Sequence, residues 1–196
     1  MAHPKEEKTV VLIKPDGVKR GLIGEIISRI EERGLKIIAL QMIWAREEQI
    51  DRHYPKDEDW LKRIGEKTMN TYQKYGMDAK RELGTDDLLE IGKMVRGWLI
   101  DFMTSGPIVK MVVQGIHAID MVRKLAGNTM PVFAEMGTIR GDFSVDSPAA
   151  ANKDKRAVHN ILHASETPKE AENEIKLWFS PEEIFEYQRA EEDIMF

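Results

Sequence analysis

The order of its apolar runs constrains this chain most. Four short stretches, Thr9 to Ile13, Leu35 to Ile43, Ile108 to Val113 and Ala157 to Leu162, are rich in the β-branched and aliphatic residues that suit sheet strands. Between the first two, Ile23, Ile26, Ile27 and Ile30 recur at spacings of three and four and Gly34 follows, which predicts a helix from about Gly21 to Arg33. After the third, Ile116 to Leu125 reads as a helix carrying Arg123 and closed by Gly127. Strand, helix, strand, strand, helix, strand is the split βαβ plan: an α+β arrangement in which a four-stranded antiparallel sheet carries helices on one face.

The remaining segments are added to that frame. Pro15, Asp16 and Gly17 carry turn chemistry and leave Lys14 at the end of the first strand. A short acidic helix is expected over Arg46 to Tyr54, then a charged, glycine-containing stretch from Pro55 to about Glu90. Trp60, Leu61, Ile64, Tyr72 and Tyr75 can line one side of one or two helices there, so this stretch reads as an ordered insertion. Ile91, Val95, Trp98, Leu99, Phe102 and Met103 mark an amphipathic helix that ends before Ser105-Gly106-Pro107. Asn128 to Arg156 holds too many breakers for a long regular element, and two acidic helices, Pro168 to Trp178 and Pro181 to Glu191, are expected to end the chain.

At 196 residues the chain suits one domain with a well-filled core, spanning 1–196 with the insertion at about 55–90. A net charge of -5 disfavours a dedicated nucleic-acid binder while leaving room for a local basic cleft. With no cysteine, the chain has no disulfide, no thiolate zinc site and no thiol nucleophile, which fits a reducing compartment, the cytoplasm by default. The first 17 residues reach Lys14 after about five apolar positions, so neither a secretory signal nor a membrane span is expected. A glycine-rich phosphate loop, a dinucleotide fingerprint and an HExxH helix are all missing, which removes the corresponding enzyme classes.

Chemistry concentrates in AVHNILHASETPKEAENEIKLWF, Ala157 to Phe179. Val158, Ile161 and Leu162 read as the end of a buried strand, while Ser165 or Thr167 before Pro168 and a glutamate-rich first turn reads as a helix start. His163 is therefore placed on the connecting turn, with Glu174 two or three turns into the helix that follows. A neutral imidazole is a competent nucleophile, and a carboxylate can fix its tautomer. A lone histidine beside an apolar strand is more often structural; the wording around this one changes the balance. Of the other histidines, His3 lies in the N-terminal extension, His117 opens a helix, and His53 and His159 neighbour site residues.

Asn160, His163, Ser165, Glu174 and Leu177-Trp178-Phe179 together resemble the active-site signature of nucleoside diphosphate kinases. Three further stretches are similar to that family and stand in its order: Thr9 to Leu40 (TVVLIKPDGVKRGLIGEIISRIEERGLKIIAL), Ser105 to Val113 (SGPIVKMVV) and Gly137 to Phe143 (GTIRGDF). The resemblance lapses over Pro55 to Glu90, which family members usually bridge with far fewer residues.

The resemblance implies a ferredoxin-like fold with added helices and a ping-pong transfer of the γ-phosphoryl group from a nucleoside triphosphate, typically ATP, to a nucleoside diphosphate. It makes His163 the carrier, as a pros-phosphohistidine, oriented by Glu174 with the support of Ser165. Lys14, Tyr54, Arg123, Thr129 and Arg140 become the phosphate cradle, and Asn160 reads a ribose hydroxyl. Arginine suits phosphate because its planar fork of donors stays charged; lysine acts as a point charge. Leu99 and Val95, the latter where many members have Phe, would contact the base, and Ala164 stands where many members have Gly. Magnesium is expected on the substrate phosphates and water, with no protein ligand assigned. The resemblance further implies a hexamer, less often a tetramer. A nucleotide sensor that had lost catalysis should lack the histidine or an arginine, and this chain keeps them.

Overall fold

The computed structural model of the chain describes residues 6–190 and 192–195. The strands are β1 (Lys8–Ile13), β2 (Lys36–Ile43), β3 (Ile108–Gln114) and β4 (Leu162–Ala164), all paired antiparallel in the order β2-β3-β1-β4. The helices are α1 (Pro15–Lys19), α2 (Ile23–Glu32), α3 (Glu47–His53), α4 (Glu58–Lys74), α5 (Ala79–Leu83), α6 (Leu88–Thr104), α7 (Ala118–Ala126), α8 (Ile139–Phe143), α9 (Pro148–Lys153), α10 (Pro168–Trp178) and α11 (Glu192–Met195). This is the ferredoxin-like plan with the expected additions.

Why β1 is an unbroken apolar run follows from what covers it. Val11 and Ile13 pack with Ile26 and Ile30 of α2 and Val122 of α7, while Val10 and Leu12 pack with Ile50 of α3, Met103 of α6 and Trp178 of α10. Successive side chains of a strand point to opposite faces, so a strand buried on both sides has no polar positions to spend. Each such side chain contributes about 1.5–3 kcal/mol by burial. The split βαβ plan alone puts helices on one face; here α3, α6 and α10 close the second. Among the described residues no helix is long and apolar enough to cross a membrane.

Several local expectations are corrected. The turn at Pro15 to Gly17 is the one-turn helix α1, which leaves α2 shorter than Gly21 to Arg33. Tyr75 is exposed at the end of α4, not part of its buried side. The stretch Asn128 to Arg156 holds a 3-10 turn at Pro131–Phe133 as well as α8 and α9, each short because breakers flank it. His3 and Glu191 lie outside the described residues.

Strand four differs most usefully. It was expected over Ala157 to Leu162, yet only Leu162–Ala164 pairs with β1, so His163 sits within the strand opposite Leu12 and not on the turn after it. The cause is Ile161, which adopts a φ of 72°. A β-branched residue in the left-handed region is strained by about 1–3 kcal/mol and persists only where its neighbours hold it. Here the Ile161 N–H donates to Asp16 Oδ2 at 2.9 Å, and the Lys14 N–H donates to the Ile161 carbonyl at 2.8 Å. The kink turns residues 157–160 away from the sheet and swings the segment after it into register with β1.

The helix expected over Pro181 to Glu191 is also absent. Only a 3-10 turn forms at Pro181–Glu183, and the chain then runs along the β2 edge. Its donors go to that strand: Phe185 N–H to the Ile38 carbonyl at 2.8 Å, Tyr187 hydroxyl to the Ile37 carbonyl at 2.9 Å and Arg189 to the Leu35 carbonyl at 3.0 Å. A sheet edge offered partners that a local helix would have forgone.

Candidate active site

His163, Asn160, Lys14 and Arg140 converge because two backbone events meet: β1 ends at Ile13, and the kink at Ile161 brings β4 alongside it. Glu174 comes from α10, whose entry is set by Thr167, the N-cap, with its hydroxyl accepting the Glu170 N–H at 3.2 Å. Ser165, the other candidate cap, has a different task. Its hydroxyl accepts the Val10 N–H at 3.1 Å and donates to Glu174 Oε2 at 2.6 Å.

Glu174 Oε1 lies 2.7 Å from His163 Nε2. As a carboxylate it accepts, so Nε2 carries the ring proton and Nδ1 keeps its lone pair. Burial, then the charge of Lys14, pulls the His163 pKa down to about 3, so the ring is neutral across the physiological range. Burial raises the Glu174 carboxyl, opposed by His53 and the Ser165 hydroxyl. The result is a neutral imidazole with one nitrogen tied down and the other available.

His53 is the residue that sequence reasoning undervalued. Its ring stands edge-on to His163 with centroids 4.6 Å apart, its Nδ1 is 3.3 Å from Glu174 Oε1, and it receives the Trp178 indole N–H at 3.4 Å. Burial, then His163, lowers its pKa to about 3, so it packs as a neutral ring against the same Glu174 oxygen that meets His163, its Nδ1 lone pair taken by the Trp178 indole. The i and i+1 pairing of His53 with Tyr54 at a helix end was the only signal available. Tyr54 is half-buried with its ring edge-on to His53 at 4.9 Å, and burial pushes its hydroxyl up, keeping it protonated.

Beside His163 opens a cleft of about 620 Å³ lined by Lys14, Arg123, Thr129, Arg140, Asn160 and His163 among others. Lys14 Nζ donates to Asn160 Oδ1 at 2.7 Å, and the Asn160 amide donates to the Thr129 carbonyl at 2.8 Å. Burial, then Arg140, lowers the Lys14 pKa to about 8. Arg140 is 6% exposed and grips three carbonyls: Asn160 at 3.1 Å, Gly127 at 2.7 Å and Leu162 at 2.7 Å. Three of its five donors are thereby used, leaving two. Burial, then Arg123, lowers its pKa to about 10, well above neutrality. Arg123 is freer, with one 3.4 Å contact to Glu166.

The structure thus unites His163, Glu174, Ser165, Lys14, Arg123, Thr129, Arg140 and Asn160, with Tyr54 in the adjoining cavity of about 710 Å³ that shares His163. Val95 and Leu99 line neither. Val95 packs instead against the cluster of Tyr72, Ala79, Leu83 and Ile91, under the 55–90 segment. Trp60, Arg63, Ile64 and Lys67 of that segment line the first cavity and were not singled out for the site by their sequence pattern.

Among the described residues one grouping has metal-ligand geometry: the ligand atoms of His53, His163 and Glu174 lie within 4.8 Å of one another. Two nitrogens and one carboxylate do not suit magnesium, which demands oxygen ligands in octahedral array.

A four-stranded split βαβ sheet, a carboxylate-bound neutral histidine and a cationic cleft define a phosphotransferase built without a phosphate loop. Comparison with known proteins makes this specific. The nucleoside diphosphate kinase family profile matches residues 7–67 and 90–184. A nucleoside diphosphate kinase of Pyrobaculum aerophilum is 52% identical over 180 residues, 92% of this chain and 98% of that protein, and one of Thermococcus kodakarensis is 40% identical over 97% of this chain and 86% of that protein. The solved NDP kinase from P. aerophilum superposes with a TM-score of 0.90 at 50% identity over 92% of this chain and 100% of that one. A nucleoside-diphosphate kinase of Borrelia burgdorferi, solved as a transition-state mimic with vanadate and ADP, gives 0.79 at 34% identity over 98% of each chain. The chain belongs to the nucleoside diphosphate kinase family. Besides the two ends of the chain, only 68–89 is unmatched; the expected insertion at 55–90 is thus narrower by this measure, since the family profile does match 55–67.

Proposed function

We propose that this nucleoside diphosphate kinase works through His163 in two in-line steps at one site. His163 Nδ1 attacks the γ-phosphorus of a nucleoside triphosphate; the bond from that phosphorus to the bridging oxygen breaks, and the nucleoside diphosphate leaves with its electron pair. A second nucleoside diphosphate then attacks the phosphorus through a β-phosphate oxygen, and the P–N bond returns its electrons to Nδ1. The ring proton stays on Nε2, hydrogen-bonded to Glu174 throughout, so the positive charge that develops on the ring meets a fixed carboxylate. The observation that carries this reading is the 2.7 Å contact from Nε2 to Glu174, which leaves Nδ1 as the available nitrogen in a cationic cleft. The vanadate and ADP complex of the Borrelia burgdorferi relative supports in-line phosphoryl transfer.

Lys14, Arg123 and the remaining donors of Arg140 bind phosphate oxygens, Thr129 adds a hydroxyl, Asn160 reads the ribose, and Tyr54 closes the neighbouring wall. Cations dominate the cleft lining and the carboxylates there, Glu166 and Glu170, are too few to form an oxygen cage, so a magnesium ion would be held mainly by the nucleotide's phosphates and water and would supply charge neutralisation on the transferring group. We place the enzyme in the cytoplasm as a hexamer, with a tetramer the lesser case. Self-association is supported by Leu40, Met42 and Trp44, which stand 50%, 53% and 67% exposed on and just beyond edge strand β2.

Incubation with γ-labelled ATP and magnesium should yield an acid-labile, alkali-stable phosphoenzyme that His163→Ala abolishes without loss of fold. Persistent labelling of that variant would sink the assignment.

A further inference from the structure

The 55–90 segment is more than an appendage, because its longer helix forms one wall of the histidine cleft. Helix α4 buries Leu61, Gly65, Thr68 and Tyr72, a stripe at helical spacing, against the body of the protein. Trp60, Arg63, Ile64 and Lys67 form the neighbouring stripe and line the cavity that holds His163. The placement is tightly defined. A Cβ added at Gly65 would lie 1.9 Å from the Leu88 carbonyl oxygen, and one at Gly92 would lie 2.1 Å from that of Leu61, so α4 and α6 cross backbone to backbone. A contact that close tolerates no side chain at either glycine and holds the cleft-facing stripe at a set height.

Charge then distinguishes the two sides of the helix. On the outer side Lys62 is paired with Glu58 at 3.1 Å; Lys74, two turns beyond Lys67 on the cleft-facing stripe, is engaged over the rings of Phe133 and Tyr75. Arg63 and Lys67 have no ion pair and no side-chain hydrogen bond to any described residue. They add two unpaired cations to a cavity that already holds Lys14, Arg123 and Arg140 against two carboxylates, Glu166 and Glu170, so positive charge is in excess there. Like charges gathered around a void repel one another unless a polyanion fills it. The segment that brings them also covers Val95, removing the position that the family resemblance offered to the base, and puts Trp60 on the cavity wall in its stead.

We propose that α4 is part of the nucleotide site, with Arg63 and Lys67 binding phosphate oxygens of the nucleotide and Trp60 presenting an apolar face to the nucleoside. This rests on the nucleotide-exchange reading above, and a direct binding measurement separates the two. Magnesium ADP is titrated by calorimetry, and turnover is measured with ATP and a second diphosphate. Arg63→Ala should raise both Kd and KM for the diphosphate about tenfold with kcat within about twofold, and Arg63→Lys should restore part of the loss. Lys67→Ala should give a smaller rise, the double variant should flatten the dependence of KM on salt, and Lys62→Ala should behave as the parent. Trp60→Phe should remove the change in tryptophan fluorescence on binding. Both cations are exposed, so the variants fold. Unchanged Kd and KM in the double variant would overturn the proposal while leaving phosphoenzyme formation, and so the histidine mechanism, untouched. If instead the parent formed no phosphoenzyme, the histidine mechanism would fall, and the ADP Kd of the Arg63 and Lys67 variants would still decide whether α4 binds phosphates.

Discussion

The histidine side of the cleft and the α4 side are built in opposite ways. Around His163 nearly every polar group is already engaged: Glu174 uses both oxygens, Ser165 donates and accepts, and Arg140 holds three carbonyls. On α4 the cleft-facing cations are exposed and unpaired, and the packing of the helix, chiefly against α6 and also against α9, places them. Groups that must meet a transition state gain from being fixed in advance, since no reorganisation is then needed during reaction. Groups that capture a flexible polyphosphate gain from mobile, point-like charge. One site therefore divides into a rigid chemical half and an adaptable binding half.

That contrast predicts where substitutions act, on kcat and stability on one side and on KM on the other. The largest effect is expected from His163→Ala, which should lower turnover by about 10⁴-fold or more with no phosphoenzyme, as befits loss of the proposed nucleophile. Arg140→Met should follow: three buried carbonyls lose their donor, and urea unfolding should show a loss of about 3 kcal/mol. A stability within error of the parent would make Arg140 a pure ligand and erase the rigid side's defining feature. Glu174→Gln should reduce kcat roughly 100-fold at nearly constant KM, because the amide cannot hold the ring in one tautomer or offset its developing charge. A KM-only effect there would break the division.

Gly65→Ala tests the other half. The new methyl must displace α4 from α6, at about 1–3 kcal/mol of stability by thermal melting, and should raise KM while phosphoenzyme yield at saturating ATP stays near normal. The smallest effect concerns pH. Lys14, held at about 8 chiefly by burial, is only partly charged at pH 8, and bound phosphate favours its charged form. ADP binding at pH 8 should therefore take up a fraction of a proton, seen as a buffer-dependent enthalpy, and affinity should weaken as pH rises through that value. The unfolded chain carries the ordinary higher lysine value, so it binds more protons between pH 8 and 10.5, and this group's contribution to stability rises with pH there. Proton release on binding would contradict the assignment.

Much of this is legible in the sequence. The strand runs, the isoleucine periodicity of α2 and the capped start of α10 follow from local chemistry, and the family motifs placed His163, Glu174 and the phosphate residues on one site. Errors arose where a long-range partner outcompeted the local rule. Ala157 to Leu162 has strand composition, yet Asp16 and Lys14 capture the backbone of Ile161 from the neighbouring turn. Pro181 to Glu191 looks helical, yet the β2 edge accepts its donors. Tyr75 fell in phase with an apolar side that ends before it.

By itself the sequence determined the topology and the family, and singled out the histidine proposed as nucleophile, because strand propensity, helical periodicity and contiguous motifs are encoded over short stretches. Only the tertiary structure decided that His163 lies within a strand, that His53 packs against its carboxylate, and that α4 covers Val95 and brings Arg63 and Lys67 to the cleft. Those outcomes depend on a left-handed isoleucine held by remote partners and on two glycines, 27 positions apart in the chain, that let two helix backbones touch. Pairings of that range leave no periodic trace in the residues that make them.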